Sequence, residues 1–150
     1  MATDSTTALP TKLQLQIVST DRLLVNETVD EVEIPGSEGY FGVLPGHTPL
    51  LALLGAGELW YRQGSQTHYL AMAFGFAEVQ PDRVTILAEF AERADEIDLA
   101  RAEAAKSRAQ DRLAGSSGSG QLDMDAERAR IAMLKAMIRL QVATKAKIRS

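Results

Sequence analysis

The side chains best suited to chemistry in this chain are the basic residues near its C-terminus. Residues 123–150 contain seven lysines and arginines against three acidic residues, a net charge of +4, whereas the rest of the 150-residue chain carries −8. Arg128, Lys135 and Arg139 recur at i, i+7 and i+11, which places them on one helical stripe, called here the basic stripe. Such cations bind carboxylates and phosphates. The stripe predicts docking onto the acidic remainder of the chain or an acidic partner, with a solvated helix face as the simpler alternative.

Residue types that perform covalent chemistry are scarce. The chain has no cysteine and only two histidines, His47 and His68, so the sequence predicts neither a thiolate nucleophile nor a metal site. The phosphate-binding pattern Gly-x-x-x-x-Gly-Lys-Ser/Thr is absent. Glu31 and Glu33 alternate along a predicted strand, which is typical of a solvated face. We therefore predict a protein that is not an enzyme.

The elements that must position these residues begin with strands. Leu13, Leu15 and Ile17 alternate with polar residues, and so do Val32 and Ile34, which is the period of half-buried strands. Further strands are predicted at residues 49–54, 57–62, 66–71, 73–79 and 83–88, separated by Gly, Pro and Asp turn signals. Many short strands without intervening helices predict an antiparallel β-sandwich or barrel.

After residue 95 the period becomes helical. The apolar residues that follow lie on one arc, and Asp95 or Asp98 can cap the helix that ends at Gly115. A second helix is predicted from Asp123 or Asp125 to about Lys145. The fold class is thus an N-terminal antiparallel β-sandwich followed by a C-terminal antiparallel two-helix hairpin. The predicted domains are a disordered tail at residues 1–11, the sandwich at 12–94, and the hairpin at 95–150 with a Gly/Ser connector at 115–120.

The second helix has more than one apolar face. One arc is rich in alanine and suits a closely packed partner helix, while Ile131, Leu134, Ile138 and Val142 lie opposite it. A hairpin can cover only one of these faces, so the other must be buried on the sandwich or on another protein. Because alanine buries little apolar surface, we expect the docked hairpin to be in a marginal equilibrium, as a movable arm requires.

Two segments carry a resemblance to a known family. The glycine- and proline-rich run Ile34–His47 and the segment Ile97–Ala102, with Asp98 and Arg101, resemble the epsilon subunit of bacterial F-type ATP synthases. The resemblance implies a non-catalytic central-stalk (rotor) subunit of a proton-translocating enzyme, which couples c-ring rotation to ATP synthesis. It also implies a C-terminal hairpin that inhibits ATP hydrolysis when it extends. The implied location is peripheral, on the cytoplasmic face of the bacterial inner membrane.

The resemblance also implies partners and contact residues. The sandwich would bind the gamma subunit and the c-ring, with the membrane contacted only through the complex, and the extended hairpin would meet the catalytic beta subunit through the basic stripe. No cofactor is required, but some members bind a regulatory ATP on the folded hairpin. The implied contacts to the c-ring and gamma are Glu38, Tyr40, His47 and Pro49. The implied ATP-binding residues are Glu92, Asp98, Arg101, Arg108, Lys135 and Arg139.

Plainer interpretations stay open for these residues. Asp98 and Arg101 can serve as a helix cap and an i,i+3 pair, and His47 can be a hydrogen-bonded turn histidine. For the whole chain, the alternative function is a generic binding module for an acidic protein or nucleic acid. The acidic body of the chain disfavours nucleic acid, since it repels a phosphate backbone.

Overall fold

The structure is a computed structural model that describes residues 8–115 and 122–149, with the backbone alone for 122 and 123. Most of the predicted tail at 1–11 and of the connector at 115–120 therefore lies outside the described residues. Residues 8–11 contain no helix or strand, and Gly115 is the last residue of the first helix.

Eight strands and two long helices follow one another along the chain. The strands are β1 (Leu13–Ser19), β2 (Leu23–Val29), β3 (Glu31–Gly36), β4 (Gly39–Val43), β5 (Leu50–Leu53), β6 (Ala56–Gln63), β7 (Gln66–Gln80) and β8 (Arg83–Arg93). A single 3₁₀ turn (Ala94–Glu96) leads into helices α1 (Leu99–Gly115) and α2 (Leu122–Arg149). The expected order of a β-sandwich followed by two helices is confirmed.

The strand order is β2-β1-β8-β7-β6-β3-β4, with β5 pairing to β7. Each of these pairs is antiparallel except that of β1 with β8, which is parallel. The predicted antiparallel sandwich is confirmed, with this one parallel pair inside it. A parallel pair needs a long crossover, and the six intervening strands supply it.

A bend in β7 corrects the prediction of two strands at 66–71 and 73–79. Phe74 and Gly75 have φ angles of 64° and 116°, and a Cβ on Gly75 would lie 2.0 Å from the carbonyl oxygen of Leu87. Only glycine allows so close an approach. The bend exchanges the inward-facing positions, because Leu70 and Met72 face the core before it whereas Ala77 and Val79 do so after it. One long strand thus serves two different surfaces.

The main core lies between the layers of the sandwich. Its fully buried side chains include Leu13, Leu15, Ile17, Val32, Ile34, Leu59, Tyr61 and Ile86. The alternating residues identified in β1 and β3 therefore face the core as predicted. Strand β2, which the sequence analysis missed, contributes Val25 and Val29.

A second core joins α2 to the outer side of β7 and β8. Ile138 and Val142 pack against Ala71, Ala73 and Phe90, so the second apolar face of α2 is buried on the sandwich. Leu134 stays 37% exposed. The hairpin is therefore folded onto the sandwich in this structure. Within the described part of the chain, neither helix is apolar enough along its length to cross a membrane.

Candidate functional site

The junction between hairpin and sandwich is centred on an ion pair. The β7–β8 register sets Phe90 beside Ala73 and Glu92 beside Ala71, and the small alanines leave room for α2 to lie across this face. Arg139 donates through Nε to Oε2 of Glu92 at 2.6 Å. Both side chains are partly shielded, at 30% and 25% exposed. A charge-assisted hydrogen bond with this shielding is stronger than a surface ion pair.

Phe90 brings a second residue of the basic stripe to the same place. The guanidinium of Arg139 lies 4.4 Å from the centre of the Phe90 ring, and Nζ of Lys135 lies 5.6 Å from it. Both distances are within the range of cation–π attraction. The sandwich therefore holds two of the three stripe cations on one aromatic ring, and the self-docking predicted from the charge asymmetry is present.

A groove between the two helices collects the whole basic stripe. It has a volume of about 290 Å³ and is lined by Ala105, Arg128, Ile131, Ala132, Lys135 and Arg139. Arg101 and Arg108 stand four residues before and three residues after Ala105, so they share its face of α1. The groove thus joins three cations of α2 to a helix face that bears two more. Such a site suits a polyanion.

Asp98 has a structural role at the start of α1. Its Oδ1 accepts the backbone N–H of Arg101 at 3.1 Å, and its carbonyl accepts the N–H of Ala102 at 3.0 Å. Asp98 is therefore the helix cap, whereas Asp95 lies in the preceding 3₁₀ turn. Among the described residues no ion pair joins the side chains of Asp98 and Arg101. Arg101 is exposed on the helix surface.

The residues predicted to contact the c-ring and gamma fall into two places. Glu38 and Tyr40 lie at the β3–β4 hairpin, where Tyr40 accepts the backbone N–H of Glu58. His47 lies beyond the other end of β4, and its Nδ1 is 2.6 Å from the carbonyl oxygen of Thr48. The backbone N–H of His47 also donates to the carbonyl of Leu44, so these contacts agree with the turn-histidine interpretation. Pro49 directly precedes β5.

Sequence reasoning missed an exposed apolar row beside β5. The register aligns Leu53 with Phe76 and Phe76 with Leu87 across three strands. These side chains are 57%, 50% and 53% exposed, and Leu51 on the same face is 71% exposed. The apolar run Leu50–Leu53 could have indicated this surface, because apolar residues on both faces of a strand predict that both faces are covered. A contiguous apolar row of this kind marks an interaction surface.

The fold and site define a class of protein: a β-sandwich with an exposed apolar face, carrying a docked helical hairpin whose groove is lined with cations. Comparison with known proteins agrees. The family model for the β-sandwich domain of the ATP synthase delta/epsilon chain matches residues 12–94, and that for its long α-helix domain matches residues 95–144.

Individual relatives point to the same family. The chain is 48% identical over 132 residues to ATP synthase epsilon chain 2 of Syntrophotalea carbinolica, which covers 88% of this chain and 94% of the relative. It is 54% identical over 100 residues to the ATP synthase epsilon chain of Koribacter versatilis, covering 67% and 70%. A chain of the Euglena gracilis mitochondrial ATP synthase shares the fold, with a TM-score of 0.66 at 22% identity, covering 99% of this chain and 88% of that one.

The chain therefore belongs to the ATP synthase delta/epsilon chain family, as an epsilon subunit of the F-type enzyme. It is a rotor-stalk subunit of a membrane-associated complex, and the prediction drawn from Ile34–His47 and Ile97–Ala102 is confirmed at this level.

Proposed function

We propose that the hairpin of this subunit is a regulatory arm that inhibits ATP hydrolysis when it extends and is inactive when folded on the sandwich. The observation that carries the proposal is that the folded hairpin already engages two cations of the basic stripe. Lys135 and Arg139 are held by Phe90 and Glu92 in the folded state. The same cations cannot contact an acidic segment of the beta subunit at the same time. Folding of the hairpin thus withholds the groups that inhibition needs.

We also propose that a regulatory nucleotide binds in the groove between the helices. The cations of the basic stripe line this groove. Arg101 and Arg108 do not line it, but they flank Ala105, the residue of α1 that does. Phosphates of ATP bound between α1 and α2 would hold the hairpin closed, since a ligand that binds only one conformation stabilises that conformation. In this role Asp98 caps α1 and fixes its first turn, while Glu92 orients Arg139. The subunit itself requires no cofactor and performs no catalysis.

The sandwich is the coupling half of the molecule. The exposed row of Leu53, Phe76 and Leu87 supports docking of the gamma subunit, since its apolar side chains are about half exposed without a partner. Pro49 leads into this edge. The β3–β4 hairpin, with Glu38 and Tyr40, supports contact with the polar loops of the c-ring. These contacts would place the protein on the cytoplasmic face of a bacterial inner membrane. Membership in the epsilon-chain family favours this role over the alternative of a generic binding module.

Truncation tests the division of labour between the two halves. Membranes would carry either the full chain or a chain that ends after residue 94, and both ATP hydrolysis and proton-driven ATP synthesis would be measured. We expect the truncated chain to support synthesis and to raise hydrolysis. An unchanged rate of hydrolysis would remove the inhibitory role of the hairpin, and a loss of synthesis would show that the sandwich alone does not couple.

A further inference from the structure

The last turn of α2 makes a separate contact with the sandwich. Arg149 donates through Nη1 to Oε1 of Glu58 on β6 at 3.1 Å. Its guanidinium also lies 4.3 Å from the centre of the Tyr69 ring on β7. This contact lies ten residues beyond Arg139 on the same helix and touches different strands. The C-terminal end of the hairpin is therefore held by its own set of side chains.

Glu58 is an unusual partner because it is buried. Within residues 8–115 and 124–149 it is the one charged residue that falls in the buried set, at 8% exposed. Its second oxygen, Oε2, is buried and has no hydrogen-bond partner among the described residues. A buried carboxylate is strongly destabilising when its cation is removed. Arg149 therefore has a larger effect on docking than an exposed arginine would.

In the part of the chain that the structure describes, the end of α2 around Arg149 lacks close apolar packing, which makes the contact with Glu58 more important for docking. A cavity of about 570 Å³ lies under this end of α2, with Tyr69, Arg93, Ala143 and Arg149 in its lining. The middle of α2 is held by the close packing of Ile138 and Val142, but a cavity of this size replaces such packing near the end of the helix. The family helix model ends at residue 144, so Arg149 belongs to the segment beyond the matched part.

We propose that Glu58, Tyr69 and Arg149 form a latch that holds the C-terminal turn of α2 on the sandwich. The latch raises the folded fraction of the hairpin without any nucleotide, and it acts ten residues along α2 from Arg139, the last residue of α2 that lines the groove. Undocking of the hairpin opens the latch and admits water to Glu58. The effect of the latch on inhibition rests on the proposed function of the hairpin, whereas the existence of the latch does not.

Hydrogen exchange of the full chain, without nucleotide or membrane, tests the latch directly. The variant is Arg149→Ala, and the matched control is Lys145→Ala, which removes a positive charge from an exposed position one turn earlier. The readout is the exchange rate of backbone amides at 138–143, with those of β1 and β8 as an internal reference. We expect Arg149→Ala to raise exchange at 138–143 about tenfold, the lower end for a charged hydrogen bond, and Lys145→Ala to raise it less than twofold.

A double variant tests the partner. Glu58→Gln removes the buried charge but keeps a polar side chain of similar shape, so Arg149→Ala should add little in that background. Equal exchange in Arg149→Ala and Lys145→Ala would overturn the latch. Effects that simply add with Glu58→Gln would overturn the pairing, and an equal rise in β1 and β8 would mean general destabilisation. Altered exchange with unaltered hydrolysis in membranes would instead count against the inhibitory role of the hairpin.

Discussion

Arg139 of α2 and Glu92 of β8 stand 47 residues apart in the sequence and meet at 2.6 Å in the fold. This contact joins a residue of the basic stripe to the acidic body of the chain. It shows that part of the charge asymmetry of the sequence serves self-docking, as does the pair of Arg149 with Glu58. It also means that any partner of the stripe must compete with Glu92 and with the ring of Phe90.

The packing of α2 on the sandwich should depend on Ile138. Ile138→Ala removes a side chain that is 5% exposed and leaves a cavity against Ala71 and Phe90, so we expect the free energy of docking to fall by about 2–4 kcal/mol. Leu134→Ala, on the same helix but 37% exposed, is the matched control and should cost less than about 1 kcal/mol. Hydrogen exchange of α2 in the full chain measures both. Similar effects from the two substitutions would contradict the docked arrangement.

Affinity for ATP should respond in opposite directions to one substitution beside the groove and one substitution in it. Arg101→Ala removes a guanidinium from the facing side of α1, and we expect ATP affinity to fall at least tenfold. Lys135→Arg keeps the charge and adds a planar fork for phosphate, so affinity should rise several-fold. Isothermal titration of the full chain with ATP gives both values. If neither substitution changes the affinity, the nucleotide binds elsewhere or does not bind.

Docking of the sandwich on gamma should depend on the exposed apolar row. Phe76→Glu introduces a charge at its centre, between Leu53 and Leu87, where burial in an interface would leave that charge desolvated. We expect binding to purified gamma to weaken at least tenfold. Glu78→Gln, on the same face two residues further along β7, is the control and should leave binding within about twofold. Unchanged binding by Phe76→Glu would assign the interface to another surface.

The free energy of unfolding should decrease at high pH as Tyr61 ionises. Burial is the main cause that raises the pKa of the Tyr61 hydroxyl from 10.0 to about 12; Arg93 opposes the shift and the hydrogen bond to Glu27 adds to it. Because the pKa is raised in the folded state, the protonated hydroxyl of Tyr61 stabilises the fold. This stabilisation is complete below pH 10 and is lost as the pH rises toward 12, a loss on the order of 2 kcal/mol in the free energy of unfolding.

Urea unfolding at several pH values measures this loss. Tyr61→Phe lowers stability at neutral pH, because Glu27 and Arg93 lose their shared partner, but it should flatten the decline between pH 10 and 12. The slope with pH is therefore the quantity to compare. An equally steep decline in Tyr61→Phe would assign the effect to other groups.

Local patterns predicted most of the fold. The period-two alternation of β1 and β3 and the helical period after residue 95 were sufficient for the order of elements, because each depends on neighbours in sequence. Strand β2 was not predicted, because Asn26, Glu27 and Thr28 interrupt its apolar positions. The single strand β7 was divided in two, since its bend at Phe74 and Gly75 exchanges the inward-facing residues.

The parts of the site that depend on a local sequence pattern were predictable, whereas the parts that depend on tertiary packing were not. The basic stripe and the Asp98 cap follow from spacing alone, and the structure brings the stripe to one groove. The contact between Glu58 and Arg149 spans 91 residues and no local pattern indicates it. The exposure of Leu51 and Leu53 likewise depends on the pairing of β5 with β7, which is set by the register of the whole sheet.

The most direct measurement compares ATP hydrolysis in membranes that carry Glu92→Ala with membranes that carry glutamate at all three stripe positions, Arg128, Lys135 and Arg139. Glu92→Ala releases the stripe from the sandwich but keeps its cations, so hydrolysis should fall below that of the unaltered chain. Reversal of the stripe removes the cations themselves, so hydrolysis should rise despite the weakened docking. Opposite changes support a hairpin that withholds its inhibitory cations by folding. A rise in both, or no change in either, would contradict it.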